Sequence, residues 1–366
     1  MHYRPDTDMT DRNQADHSQR IVAAITEARS AQQALYISAG GSKRECVGRS
    51  CNARILDVSD HSGIIDYQPA ELVITARAGT PLTVLIDCVE QQGQMLSFEP
   101  PLFGGKATIG GTLACNMSGP ARPWSGSVRD MVLGVQLING KAELLNFGGK
   151  VMKNVAGYDV SRLQAGALGT LGVLSEISLK VLPKHEHSLT LCYDMTAAEA
   201  VNTMNQRAGE PKPLYGACWL NDRLYLRLSG AADAVQHTAR QWGGDILQSH
   251  DTFWRDLRDM TLPFFAGNAP LWRLSLKSTA PISSVPEHTL IDWCGAQRWV
   301  RGDADLAVMQ DTAKAGGGHA ALFSGGDRSD EVRSPLNTVE QRLQQRLKYS
   351  FDPDGILNPG RLYSWL

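Results

Sequence analysis

Glycine placement constrains this chain more than any other feature. Between residues 38 and 176 glycines gather in three groups, each beside a strand-like apolar run. The first run, Leu35-Tyr36-Ile37-Ser38, reads as a strand and enters Ala39-Gly40-Gly41-Ser42-Lys43. A strand that ends in adjacent glycines can aim several backbone N–H groups at one point. Such a concavity binds a pyrophosphate, and the missing side chain lets the anion approach the backbone. Ser42 adds a hydroxyl, and Lys43 or Arg44 adds charge. An ordinary turn is the competing reading of this loop alone. The spacing is neither the Gly-x-Gly-x-x-Gly of a dinucleotide-binding βαβ unit nor a Gly-Lys-Ser/Thr phosphate loop.

The second group is Thr108-Ile109-Gly110-Gly111-Thr112-Leu113-Ala114-Cys115-Asn116, small residues on a turn that opens a short helix. Small side chains let a flat ring or a pyrophosphate lie against the backbone, and a helix N-terminus favours an anion. Tight helix–sheet packing through glycine is the alternative, and both hold together without conflict. The third group runs from Val151-Met152-Lys153-Asn154-Val155-Ala156-Gly157-Tyr158-Asp159 to Gly169-Thr170-Leu171-Gly172-Val173.

The length of 366 residues suggests two domains. A net charge of −2 with both signs interspersed gives no bulk attraction to nucleic acid or anionic lipid. The seven cysteines are scattered without a Cys-x-x-Cys pair, so they read as reduced thiols rather than cluster or zinc ligands. Residues 1–17 are polar and read as a disordered tail without a signal sequence, which makes a cytoplasmic location the expectation. Ser18 reads as the cap of a helix that buries Ile21 and Ile25, and Thr80-Pro81 as the start of one that buries Leu82, Leu85, Ile86 and Val89. Strands are expected at 55–58, 71–76, 131–138, 143–147 and 173–181, and a helix at 161–168. Residues 184–187 read as a linker. Beyond it come strands at 214–220, 224–228 and 272–276 and helices at 231–242, 251–260, 303–315 and near 335–350.

Together the three glycine groups resemble the FAD-binding domain shared by vanillyl-alcohol oxidase, D-lactate dehydrogenases and bacterial glycolate oxidase. Phe98-Glu99-Pro100-Pro101, the stretch from Gly119 to Asp130, Leu271-Trp272-Arg273 and the terminal Asn358-Pro359-Gly360-Arg361 narrow it to the FAD-binding subunits of glycolate oxidase. The resemblance implies an α+β fold. A two-subdomain PCMH-type FAD-binding domain (18–183) is followed by an α+β cap domain (184–333). A C-terminal helix and loop (334–366) returns to the flavin. It implies that Ala39, Gly40, Gly41, Ser42 and Lys43 cradle the pyrophosphate. Gly110, Gly111, Ala114 and Asn116 line the pyrophosphate and flavin edge, Val173 offers its backbone to the adenine, and Asn358 and Arg361 approach the ring. No histidine stands in the first glycine loop, so the FAD is expected to be noncovalent.

Relatives that oxidise D-lactate or glycolate carry a His-x-Gly-Asp-Gly-Asn-x-His signature that holds a metal. The corresponding stretch here keeps only His319, within Gly316-Gly317-Gly318-His319-Ala320-Ala321, and no metal site is expected. Two readings follow. In one the chain oxidises glycolate or D-lactate, with His319 as the base and Arg361 as the carboxylate clamp; Arg122 and Arg129 are further anion binders. In the other the chain carries FAD for electron transfer or structure, while a related subunit does the chemistry. Both imply a D-type flavoprotein subunit and an iron–sulfur subunit as partners, with membrane contact through them. Trp293, Trp299 and Tyr363-Ser364-Trp365-Leu366 are the candidate partner surface, with ordinary core as the plainer reading.

Overall fold

The computed structural model describes residues 16–149, 158–282 and 288–366. The expected helix forms over Ser18–Ser30 and buries Ile21, Ile25 and Ala28, spaced along one face. That face packs on a parallel pair of strands, Leu35–Ser38 and Arg54–Asp57, through Leu35, Leu56 and Val58. Ser18 is the first residue of the helix rather than its cap. The chain before it is already anchored: the His17 amide donates to Nδ1 of the buried His61 at 3.0 Å, and Asp16 accepts the Ser18 amide at 2.9 Å. The tail expected over 1–17 therefore ends earlier, and residues 1–15 lie outside the described residues.

The second body is an antiparallel five-stranded sheet in the order Ile64–Gln68, Val73–Arg77, Val173–Lys180, Val132–Ile138, Leu144–Gly148. Alternation along these strands places Ile74, Ala76, Val135, Leu137, Ile177 and Leu179 in one core with the helix Leu82–Glu90. Pro81, not Thr80, precedes that helix. The Thr80 hydroxyl instead accepts from the Gly63 amide at 2.9 Å and donates to the Arg77 carbonyl at 2.6 Å, locking the turn between strands. The helix expected over 161–168 shortens to Val160–Leu163, because Gly166 and Gly169 take positive φ of 88° and 72°.

The third body is an eight-stranded sheet in the order Asp245–Ile246, His187–Asp194, Arg223–Gly230, Leu214–Leu220, Thr289–Asp292, Gln297–Arg301, Leu271–Ser275, His319–Ser324. Helices Ala197–Ala208, Ala232–Trp242 and Leu306–Ala315 cover it. The expected linker is not a free spacer. His187 begins a strand, and the His185 ring stands edge-on to Tyr215 at 4.4 Å. Trp299, Tyr363 and Leu366, read from sequence as partner-facing candidates, are interior. They join Cys46, Val47, Met117, Leu168, Leu271 and Phe323 in the core that bonds this sheet to the glycine loops. Trp293 is half-buried, donates to the Gly119 carbonyl at 2.9 Å and carries the Arg122 guanidinium 4.5 Å over its ring. Burying each such side chain contributes roughly 1.5–3 kcal/mol. Among the described residues no helix is long and apolar enough to cross a membrane.

Asp292 closes the strand Thr289–Asp292 and is fully inside the protein. Its carboxylate accepts the Trp293 amide at 2.7 Å, yet burial pushes its pKa up to about 7. A carboxyl that titrates higher folded than unfolded stabilises the fold at low pH and loses that contribution as pH rises through about 7. Asp292→Asn keeps an acceptor for the Trp293 amide and removes the group whose charged form burial disfavours. The variant is expected to raise the thermal midpoint by roughly 2–6 °C at pH 8 and by nothing measurable at pH 4. Equal shifts at both pH values in a calorimetric scan refute the assignment.

Candidate functional site

The glycine groups that are distant in sequence meet in one cleft. It is open to solvent and is lined by Ser38 to Arg44, Gly110, Gly111, Ala114, Cys115, Leu168, Gly169, Gly172, Leu174, Asn358 and Arg361. Each glycine has a distinct reason to be there. A Cβ on Gly40 would lie 1.8 Å from the Lys106 carbonyl oxygen, and one on Gly110 2.7 Å from the Ala78 Cβ. These two are packing glycines. Gly41 takes φ +67°, and a Cβ there meets nothing within 4 Å, so its missing side chain leaves room in the cleft. Gly111 presents its bare face toward the Thr108 hydroxyl and the Lys43 ammonium.

Lys43 sets the electrostatics. Its side chain is buried and donates to the Ser42 hydroxyl at 3.1 Å, with the ammonium 5.1 Å from the Phe103 ring. Burial lowers its pKa, and no carboxylate pairs with it among the described residues. Thr112 Oγ1 and Asn116 Oδ1 are also buried without a hydrogen-bond partner. An unpaired buried ammonium beside an open positive-φ glycine has the chemistry to hold a diphosphate, and these residues fit FAD.

The C-terminal segment completes the cleft from the far end of the chain. Asn358 accepts the Ile37 amide at 2.7 Å and donates to the Leu168 carbonyl at 2.6 Å. Arg361 is buried. One terminal nitrogen donates to the carbonyls of Lys43, Arg44 and Cys46 at 3.0, 3.0 and 3.1 Å, and the other donates to that of Arg49. Arg361, expected as a carboxylate clamp, thus lines the cleft with both terminal nitrogens donating to the loop that carries Lys43. Arg129 is exposed, while Arg122 lies on Trp293, so neither stands in the cleft.

Ten of the expected residues line the cleft: Ala39, Gly40, Gly41, Ser42, Lys43, Gly110, Gly111, Ala114, Asn358 and Arg361. Asn116 follows the lining residues Ala114 and Cys115 at φ +49°. Val173 pairs with Ile138 and is buried, while its neighbours Gly172 and Leu174 reach the cleft. The motif residues 151–157 lie outside the described residues. His319 begins the edge strand of the eight-stranded sheet and keeps an exposed face. Burial of its inner edge, then Arg273 and Arg333, lower its pKa, so the ring is neutral at pH 7. Sequence reasoning missed those two arginines. Arg273 stood in a motif only as a family marker, and nothing in the spelling of the chain sets Arg333 apart. Among the described residues no three His, Cys, Asp or Glu side chains converge.

Comparisons with known proteins agree with this geometry. Residues 13–148 match the family model described as an FAD binding domain. The chain is 44% identical over 353 residues to glycolate oxidase subunit GlcE of Escherichia coli K12, covering 96% of this chain and 99% of that one. It is 31% identical over 191 residues to glycolate oxidase subunit GlcD of Bacillus subtilis 168, covering 51% of this chain and 39% of that one. The fold is similar to that of alkyldihydroxyacetonephosphate synthase, with a TM-score of 0.62 at 15% identity, over 95% of this chain and 76% of the other.

Gly41→Asp is expected to fold normally, since its side chain meets open space, but to lose FAD. The carboxylate would face the position of the diphosphate, and a residue with a Cβ costs roughly 1–2 kcal/mol at this φ. Gly41→Ala carries the backbone cost alone. Flavin content after desalting should fall in the order wild type, Gly41→Ala, Gly41→Asp. Stoichiometric flavin in Gly41→Asp refutes the loop assignment.

Proposed function

This chain belongs to the glycolate oxidase subunit GlcE family, and from that membership we propose that it is the noncovalent FAD carrier of a multi-subunit 2-hydroxy-acid dehydrogenase acting on glycolate. The observation that carries the reading is the cleft itself, where Lys43, the Gly40-Gly41 turn and the Gly110-Gly111 helix start converge. FAD, when bound there, supplies the two-electron acceptor for oxidation at C2. Lys43 and the loop amides hold the diphosphate, and Asn358 and Arg361 hold the loop. No histidine lies among residues 36–44, so the attachment is noncovalent.

His319 is the group of the cap sheet with the right state to receive the hydroxyl proton. It is neutral at pH 7 because burial and two guanidiniums disfavour its charged form. D-lactate is the second substrate in this reading. A GlcD-type flavoprotein subunit and an iron–sulfur subunit complete the enzyme, and any membrane contact runs through them. A second reading, in which this chain only carries FAD for electron transfer, draws on the stretch Gly316 to Ala321, which keeps one histidine of the metal-holding signature.

Acid precipitation of the purified protein is expected to release all of its flavin into the supernatant, where a yellow pellet would contradict noncovalent binding. The isolated chain is expected to oxidise glycolate at least 10-fold more slowly than the assembled complex. A rate for the chain alone that equals the complex and vanishes in His319→Ala makes this chain the self-sufficient catalytic subunit.

A further inference from the structure

Buried guanidiniums in this protein are nearly all spoken for. Arg227 pairs with Glu99 at 2.8 Å, Arg301 donates to the carbonyls of Phe264 and Ala269, and Arg328 and Arg361 are ringed by carbonyls. Arg273 and Arg333 are different. Both are half-buried, and among the described residues neither makes a side-chain hydrogen bond or an ion pair, so their terminal nitrogens are uncommitted. Two half-buried guanidiniums with uncommitted terminal nitrogens have donors to spare for an anion that reaches them.

The two lie in register. Arg273, in the strand Leu271–Ser275, faces Ala321 across the ladder, and Ala321 bridges in turn to Arg333. Directly paired residues project to the same face. Two arginines therefore flank an alanine whose methyl group leaves space between them. Phe323 is two residues along on that face, 6.0 Å below the Arg273 guanidinium, and His319 is two residues along in the other direction. The same face packs against the glycine loops: Phe323 shares a core with Cys46, Val47 and Leu168, and the Val47 amide donates to the Phe323 carbonyl at 2.9 Å. Both guanidiniums act electrostatically on Cys115, which lines the cofactor cleft. Burial, and then the charge of Arg333, lowers the pKa of Arg273 to about 10, which leaves it charged at pH 7.

We propose that Arg273 and Arg333 form an anion site over Ala321 that takes the carboxylate of a small organic acid, with His319 at its margin. The paired cations fix the carboxylate, and the imidazole stands where a neighbouring hydroxyl would release its proton. A dianion such as oxalate satisfies two guanidiniums better than a monocarboxylate does. The substrate role rests on the reading under Proposed function; the anion site itself does not.

The test is calorimetric titration of the purified full-length protein with oxalate, which C2 oxidation cannot consume, with flavin content measured on the same samples. Wild type is expected to bind oxalate in a saturable 1:1 reaction and more tightly than acetate. Arg273→Met and Arg333→Met are each expected to weaken oxalate at least 10-fold with flavin content unchanged. Their midpoints without ligand should be equal to or above that of wild type, because the repulsion between two like charges has been removed; a merely structural arginine would give the opposite shift. Arg273→Lys and Arg333→Lys keep the charge without the fork and decide the question if either Met variant misfolds, with an expected loss of 3-fold or more. Wild-type affinity in the variants, or no saturable oxalate heat in wild type, overturns the proposal. Flavin-free wild-type protein would instead sink the FAD-carrier reading while the oxalate titration still reports on the two arginines.

Discussion

The contact on which the functional half of this protein depends is made by one residue near the end of the chain. Arg361 gathers the carbonyls of Lys43, Arg44, Cys46 and Arg49 around its guanidinium, across 318 residues of sequence in the case of Lys43. Carbonyls in a glycine-rich turn would otherwise face water or each other, and turning them inward leaves amides to face the cleft. Around that contact the segment is zipped to the first strand. Leu35 donates to Ile356, Asn358 donates back to Leu35, and Lys348 holds the approach through Asp352 and the carbonyls of Thr170 and Leu357. Burying that lysine and aspartate together is tolerable because each is paired.

The same dependence explains the shape of the interdomain core. The eight-stranded sheet packs directly on the glycine loops, where Phe323, Trp299 and Leu271 interlock with Cys46, Met117 and Leu168. Glycine loops have little side-chain volume of their own to bury, so the apolar packing that steadies them comes from the sheet above. Arg328 adds polar ties by donating to the carbonyls of Leu322, Phe323 and Gly48.

Much of this was legible in the sequence because it is local. The strand before Gly40, the helix buried through Leu82, Leu85 and Val89, and the long strand from Val173 follow from periodicity and punctuation. Motif resemblance supplied the remaining glycine residues of the cleft. What periodicity could not supply is non-local. Arg361 was assigned to a ligand because its donors are visible in the sequence and its carbonyl partners are not. Arg273 and Arg333 become neighbours only through strand pairing with Ala321. Trp299 and Tyr363 read as surface candidates because their cover comes from residues such as Cys46 and Leu168, far away along the chain.

The bond between Arg361 and the Lys43 loop also fixes an order of events. Residues 35–44 leave the ribosome before residues 356–361, so the two walls of the cleft cannot meet until the later segment has been made. A loop held by those late contacts has no rigid diphosphate cradle during synthesis. A chain arrested before Asn358 accordingly carries the glycine motif without the contacts that hold its loop.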